Sequence, residues 1–95
     1  MARRRYLIGY DISDPRRLRR VCTLMEDHGR RLQYSVFLCD LSLAELAELE
    51  TAVRVIIDVM ADSVIRIDLG DTARPASIVT TGHRRWLPPT GPQIV

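Results

Sequence analysis

The chain contains no lysine. All fourteen basic residues are arginine, set against twelve acidic residues, for a net charge of +2 over 95 residues. So small a total excludes a wholly polybasic binder and leaves the distribution of charge as the informative quantity. Arginine suits bidentate contacts with phosphate, but a GC-rich genome accounts for the bias more simply. Cysteine is scarce. Cys22 and Cys39 lie inside apolar patterns at a spacing that fits no zinc site, and they read as small buried hydrophobes of a reducing compartment. Long apolar runs are missing too. The first one is about six residues, too short for a signal-peptide core, and none approaches the ~20 residues that span a bilayer. The expectation is a soluble, cytoplasmic protein without membrane contact. No repeat and no complete aromatic ribonucleoprotein motif occurs, which counts against an RNA-recognition-motif module. A chain of this length makes one small domain with a modest core, which often gains stability by oligomerising.

What is present is organised around residues 6–20. Tyr6-Leu7-Ile8-Gly9-Tyr10 is strand material, and Asp11 falls at its end. Asp14-Pro15 is a helix start, an N-cap carboxylate followed by a proline suited to the first turn. Arg16, Arg17, Arg19 and Arg20 follow within a turn or so. A strand-end carboxylate beside guanidinium groups is the equipment of phosphodiester chemistry, one holding a divalent cation and the others the polyanion.

The chain then divides as follows. The spacing predicts a strand over 5–12 and a helix over 15–28, with Leu18, Val21, Cys22 and Met25 as its core stripe. Gly29 is placed to end that helix in a left-handed turn. Residues 30–40 are one bent strand or two short ones. Ser42-Leu43-Ala44-Glu45 is a capping box with a Leu41–Leu46 staple, opening a second helix whose stripe of Leu46, Leu49, Val53, Ile56 and Met60 runs to about residue 60. Two and a half heptads are too few for a coiled coil, so the stripe is read as core. Asp62-Ser63 breaks the helix. Residues 64–69 alternate as a near-edge strand with Ile65, Ile67 and Leu69 inward and Arg66 and Asp68 outward. Residues 70–75 form a turn, 76–81 supply one more short strand, and 81–95 are a basic, proline-rich tail carrying Trp86.

Two split β-α-β units predict a ferredoxin-like α+β sandwich, an antiparallel sheet with both helices on one face, occupying residues 1–80. The first strand and residues 34–39 are apolar at both parities. The uncovered face would expose a contiguous apolar patch on the order of several hundred Å², more than monomers usually tolerate. A second copy across a two-fold axis is the simplest cover. A homodimer could also bring two Asp11 carboxylates together, a pair that repels unless a cation such as Mg²⁺ lies between.

The run Tyr10-Asp11-Ile12-Ser13-Asp14-Pro15-Arg16-Arg17-Leu18-Arg19-Arg20, then Leu32-Gln33-Tyr34-Ser35-Val36-Phe37, then the capped acidic helix, then Ser63-Val64-Ile65-Arg66-Ile67, resembles the small CRISPR-associated protein family of spacer acquisition, the second Cas protein, described as endoribonucleases. The match spans about residues 3–69 in order and spacing. The resemblance implies a ferredoxin-fold homodimer that joins the CRISPR integrase in capturing DNA, with Mg²⁺-dependent cleavage of RNA or DNA. It implies Asp11 as the metal-binding and catalytic aspartate and Asp14 as a second acidic position. It places Arg16, Arg17 and Arg20 in the family's basic helix start and Ser35 and Phe37 in its Ser-Val-Phe strand. It also implies a C-terminal strand, here 76–81, that crosses to the partner.

Each residue has a plainer reading. Asp11 as a turn residue is set behind metal binding, Asp14 is first a helix cap, and the arginines Arg16, Arg17, Arg20, Arg30 and Arg31 divide evenly between solvated surface and phosphate contact. His28 and His83 read as helix-end and tail residues. Two other functions stay open: a non-catalytic DNA-binding scaffold for the integrase, and a free-standing ribonuclease toxin on the same fold.

Overall fold

The computed structural model describes residues 2–74 and 77–82. The order is β1 (Arg4–Asp11), α1 (Pro15–Glu26), β2 (Arg30–Gln33), β3 (Val36–Leu41), α2 (Leu43–Ile56) and β4 (Ser63–Asp71). The strands form one antiparallel sheet in the order β2-β3-β1-β4. This is the ferredoxin-like arrangement expected. Residues 30–41 resolve into two strands turning at Tyr34-Ser35.

Both helices start where the capping chemistry places them. Asp14 accepts from the Arg16 and Arg17 amides at 3.0 Å each. Ser42 and Glu45 close the reciprocal box, at 3.2 Å into Ser42 Oγ and 2.8 Å into Glu45 Oε1. Side-chain alternation then sorts the sheet. Tyr6, Ile8 and Tyr10 of β1 and Phe37, Cys39 and Leu41 of β3 face the helices and are buried with Val21 and Met25 of α1 and Leu46, Leu49 and Val53 of α2. Leu7, Gly9 and Asp11 point the other way.

Four expectations need correction. The second helix stops at Ile56, four residues short, because Ile57 takes an extended conformation (φ −76°, ψ 159°) and the Asp58 amide turns to the Asp62 carboxylate at 2.9 Å. Met60 therefore leaves the core and is 90% exposed.

The faces of β4 are reversed. In register, Leu7 opposes Ile67 and Gly9 opposes Ile65, so both isoleucines stand on the face away from the helices, 46% and 58% exposed. Arg66 takes the helix side, with its guanidinium 5.7 Å from the Tyr6 ring centre and 3.1 Å from Glu50 Oε2. Alternation defines two faces of an edge strand but not which one the helices cover. Leu69 falls at an irregularity in the ladder, between Asp68 opposite Tyr6 and Gly70 opposite Arg5.

Gly29 is required by close approach and not by a left-handed turn. A Cβ there would lie 2.5 Å from both Cys39 Sγ and the Leu38 carbonyl oxygen. The glycines with left-handed φ are Gly70 (99°) and Gly82 (93°) among the described residues.

The described part of the expected last strand, residues 77–81, has no strand pairing within this chain, and Ile78 and Val79 are 46% and 82% exposed. The tail with Trp86 lies outside the described residues, apart from 81 and 82. No helix among the described residues is long and apolar enough to cross a membrane.

Candidate functional site

Asp11 closes β1 and is exposed, opposite Ser63 at the start of β4. Its side chain has the same parity as Leu7 and Gly9, so it stands on the open sheet face beside Ile65 and Ile67. Among the described residues its carboxylate takes no hydrogen bond and no ion pair, which leaves its lone pairs available. Asp14 is differently occupied. Its Oδ2 caps α1, and the Arg17 amide, ahead of the Arg17 charge and the Arg16 amide, holds its carboxyl below the ordinary range.

The arginines separate into two groups. Arg16, Arg19 and Arg20 are exposed on α1 and Arg30 is exposed on β2, each without an ion-pair partner among the described residues. Arg17 and Arg31 are instead built into the fold. Arg17 Nε donates to Asp62 Oδ2 at 2.7 Å, and its Nη2 reaches Asp62 Oδ1 and Ser13 Oγ, each at 3.2 Å. Arg31 lies on the helix side, 5.3 Å above the Phe37 ring centre and 5.7 Å from that of Tyr34, and donates to Cys22 Sγ. A stacked guanidinium of this kind fixes an aromatic as well as carrying charge.

Ser35 and Phe37 act from below. The Ser35 carbonyl accepts from the Tyr10 amide at 3.1 Å and so anchors the last stretch of backbone before Asp11. Phe37 is fully buried, stacked on Tyr10 at 6.2 Å between ring centres. Burial, then the neighbouring Cys22, pushes the Tyr10 phenol up to about 12, so it stays protonated. At the other end of β1, Arg3, Arg4 and Arg5 pair with Glu45, Asp68 and Asp40. None of these three is a free cation for phosphate.

Sequence reasoning missed Asp62 as anything but a helix breaker. Its side chain is shut off from solvent, and besides Arg17 it accepts from Ser13 N at 3.0 Å and Ser13 Oγ at 3.1 Å. The Arg17 guanidinium, with the Asp58 and Ser13 amides, holds its carboxyl well below the usual range. Forty-five positions separate it from Arg17, so no local pattern marks it. The β1–β4 register would have, since Ser63 opposes Asp11.

No group of three metal-ligating side chains exists among the described residues. At the end of β1 the donor among the described residues is the single unengaged carboxylate of Asp11. That fits Mg²⁺, which commonly takes one or two carboxylates and keeps its waters, and does not fit Zn²⁺ or a Ca²⁺ cage.

The family profile of CRISPR associated protein Cas2 matches residues 4–75. CRISPR-associated endoribonuclease Cas2 3 of Synechocystis is 45% identical over 58 residues, covering 61% of this chain and 63% of that protein. CRISPR-associated endoribonuclease Cas2 2 of Nitrosomonas europaea is 34% identical over 88 residues, covering 87% of this chain and 78% of that protein. The chain thus spans somewhat less than two thirds of the Synechocystis relative. Crystalline Streptococcus pyogenes Cas2 at pH 6.5 superposes with a TM-score of 0.66 at 37% identity, covering 70% of this chain and 86% of the other. Register, fold and family profile agree, and the chain belongs to the CRISPR associated protein Cas2 family.

Proposed function

We propose that this chain acts as a homodimer that binds nucleic acid together with the CRISPR integrase during spacer acquisition, and that it hydrolyses phosphodiester bonds with a divalent cation, Mg²⁺ by preference. One observation carries the reading. Asp11 stands on the same open sheet face as Leu7, Gly9, Ile65 and Ile67. A second copy that covers the apolar part of this face brings its own Asp11 to the same seam. Two carboxylates so placed repel each other and favour a cation between them. The names of the relatives, endoribonucleases, support cleavage of RNA. DNA stays open as a second substrate.

Asp11 of each copy would hold the cation. When bound, Mg²⁺ supplies a water of lowered pKa and neutralises charge on the scissile phosphate. The chain itself does the rest. Arg16 and Arg20 project from the first two turns of α1 and bind phosphate oxygens, and Arg30 extends the same service from β2. Arg17 and Arg31 hold the loop and the aromatic floor in place. A histidine base is unnecessary, and His28 is already engaged with the Leu24 carbonyl at 2.8 Å.

The lone carboxylate per chain also favours a second reading, a DNA-binding scaffold whose cleavage is dispensable. Spacer uptake by cells carrying Asp11→Asn separates the two. Lost uptake together with lost cleavage supports the enzyme, and retained uptake supports the scaffold. Unchanged cleavage by purified Asp11→Asn would overturn the catalytic reading.

A further inference from the structure

Asp62 receives five hydrogen bonds. Oδ1 accepts from Ser13 N (3.0 Å), Ser13 Oγ (3.1 Å) and Arg17 Nη2 (3.2 Å), and Oδ2 accepts from Arg17 Nε (2.7 Å) and Asp58 N (2.9 Å). Both oxygens are saturated and the side chain has no solvent exposure. Asp62 therefore has no lone pair to offer a metal. What it binds is the chain itself, at three places: the loop directly after Asp11, the first turn of α1, and the turn that follows α2. Its neighbour Ser63 is the residue opposite Asp11 in the ladder.

We propose that Asp62 is the positioning residue of the candidate cation site, holding Ser13 and Arg17 so that the Asp11 carboxylate and the exposed arginines of α1 keep a fixed mutual geometry. The inference rests on Asp11 being the cation ligand. Three features argue for positioning over simple stability. Two of the five contacts fall on Ser13, in the two-residue connection between Asp11 and Asp14 that belongs to neither strand nor helix. Ser13 meets the carboxylate with both its amide and its hydroxyl, which fixes the direction of the chain as it leaves Asp11. Arg17, although in the basic helix start, commits its Nε and Nη2 to the clamp, and its Nη2 also returns to Ser13 Oγ. Partners standing behind metal ligands typically change affinity by about 10- to 100-fold when removed.

The test uses the full-length chain with Mn²⁺ as probe, in Asp62→Ala, in the milder Arg17→Gln, and in Asp11→Asn. Two readouts are taken at a temperature where circular dichroism shows each variant folded. The first needs no metal. Amide hydrogen exchange at residues 12–14 is expected to rise at least about tenfold in Asp62→Ala and Arg17→Gln, while β1 and β3 core amides stay protected. Unchanged exchange at Ser13 in both variants overturns the clamp, whatever the metal does. The second is Mn²⁺ affinity, expected to weaken by about 10- to 100-fold in both variants and to vanish in Asp11→Asn. Wild-type affinity in folded Asp62→Ala and Arg17→Gln overturns the positioning role. Failure of wild type to bind Mn²⁺, or undiminished binding by Asp11→Asn, overturns the Asp11 reading itself, and the exchange result then decides the clamp alone. Should Asp62→Ala not fold, Arg17→Gln carries both readouts.

Discussion

Asp11 and Ser63 face each other at the last register position of the β1–β4 ladder. The pairing joins the tip of the first strand to the turn after α2, two segments about fifty residues apart in sequence. It places Asp11 on the open sheet face, and it sets Asp62, one residue before Ser63, behind the loop that Asp11 begins.

Asp11→Asn should leave the fold intact, because the side chain is exposed and makes no hydrogen bond or ion pair among the described residues. A surface change of this type shifts stability by no more than about 0.5 kcal/mol. Without added metal the variant should melt no lower than wild type, while metal-dependent cleavage disappears. A lowered melting temperature would mean that Asp11 has a structural partner.

Ile65 and Ile67 are exposed in one chain, and the proposed homodimer would cover them. Ile67→Arg puts a charge into that seam, and sedimentation at micromolar concentration should then give a monomer where wild type gives a dimer. Equal masses for the two proteins would remove the open face as the interface.

Arg16→Ala and Arg20→Ala should weaken nucleic-acid binding uniformly across sequences. The slope of log affinity against log salt should flatten by roughly 0.9 for each duplex phosphate that is no longer neutralised. Arg17→Ala should behave differently, by freeing the buried Asp62 carboxylate and lowering the melting temperature. If all three variants altered the salt slope alike, the division between free and engaged arginines would be wrong.

Gly29→Ala tests the close approach of the first helix terminus to β3. A methyl group would meet Cys39 Sγ and the Leu38 carbonyl at 2.5 Å. Backbone yields little, so a cost of about 1–3 kcal/mol is expected. In a domain of this size that lowers the melting temperature by roughly 4–8 °C per kcal/mol. A neutral effect would show that β3 can retreat.

Acid stability follows from the engaged carboxylates. Asp14, Asp40, Glu45, Asp62 and Asp68 are all held below their ordinary values, chiefly by the Arg17 amide, Arg5, the Ser42 amide, Arg17 and Arg4 respectively. The unfolded values are about 3.9 for Asp and 4.3 for Glu. A depressed carboxylate stabilises the fold fully above its unfolded value, and the contribution is lost as pH falls through the folded one. Urea midpoints should therefore hold steady above roughly pH 5 and fall below roughly pH 4. Asp62→Asn should lower the plateau and make the acid loss shallower, and a wild-type midpoint that stayed flat to strong acid would contradict this.

The fold was legible because each signal was local. The caps at Asp14 and Ser42, the stripes of both helices and the alternation of the strands lie within a few residues of one another. What could not be read depended on tertiary contact. Period two names two faces of β4 without saying which is covered, so the sequence points Ile65 and Ile67 inward while the ladder turns them out. The apolar stripe continues to Met60, but the turn that ends α2 is set by Asp62. A glycine just past a helix suggests a turn role for Gly29, whereas its need for a missing Cβ arises from β3. Of the candidate site, Asp11 and the exposed arginines were visible as a motif. The contacts of Arg17 with Asp62 and of Arg31 with Phe37 were not, because those partners lie outside the elements that carry the arginines.

Mn²⁺ titration of the purified full-length chain, with its mass measured by sedimentation in the same buffer, tests the shared site most directly. One ion per two chains in a dimer is expected, with binding lost in Asp11→Asn. One ion per chain, or a monomer that binds Mn²⁺ as tightly as the dimer, would contradict a site built from two Asp11 carboxylates.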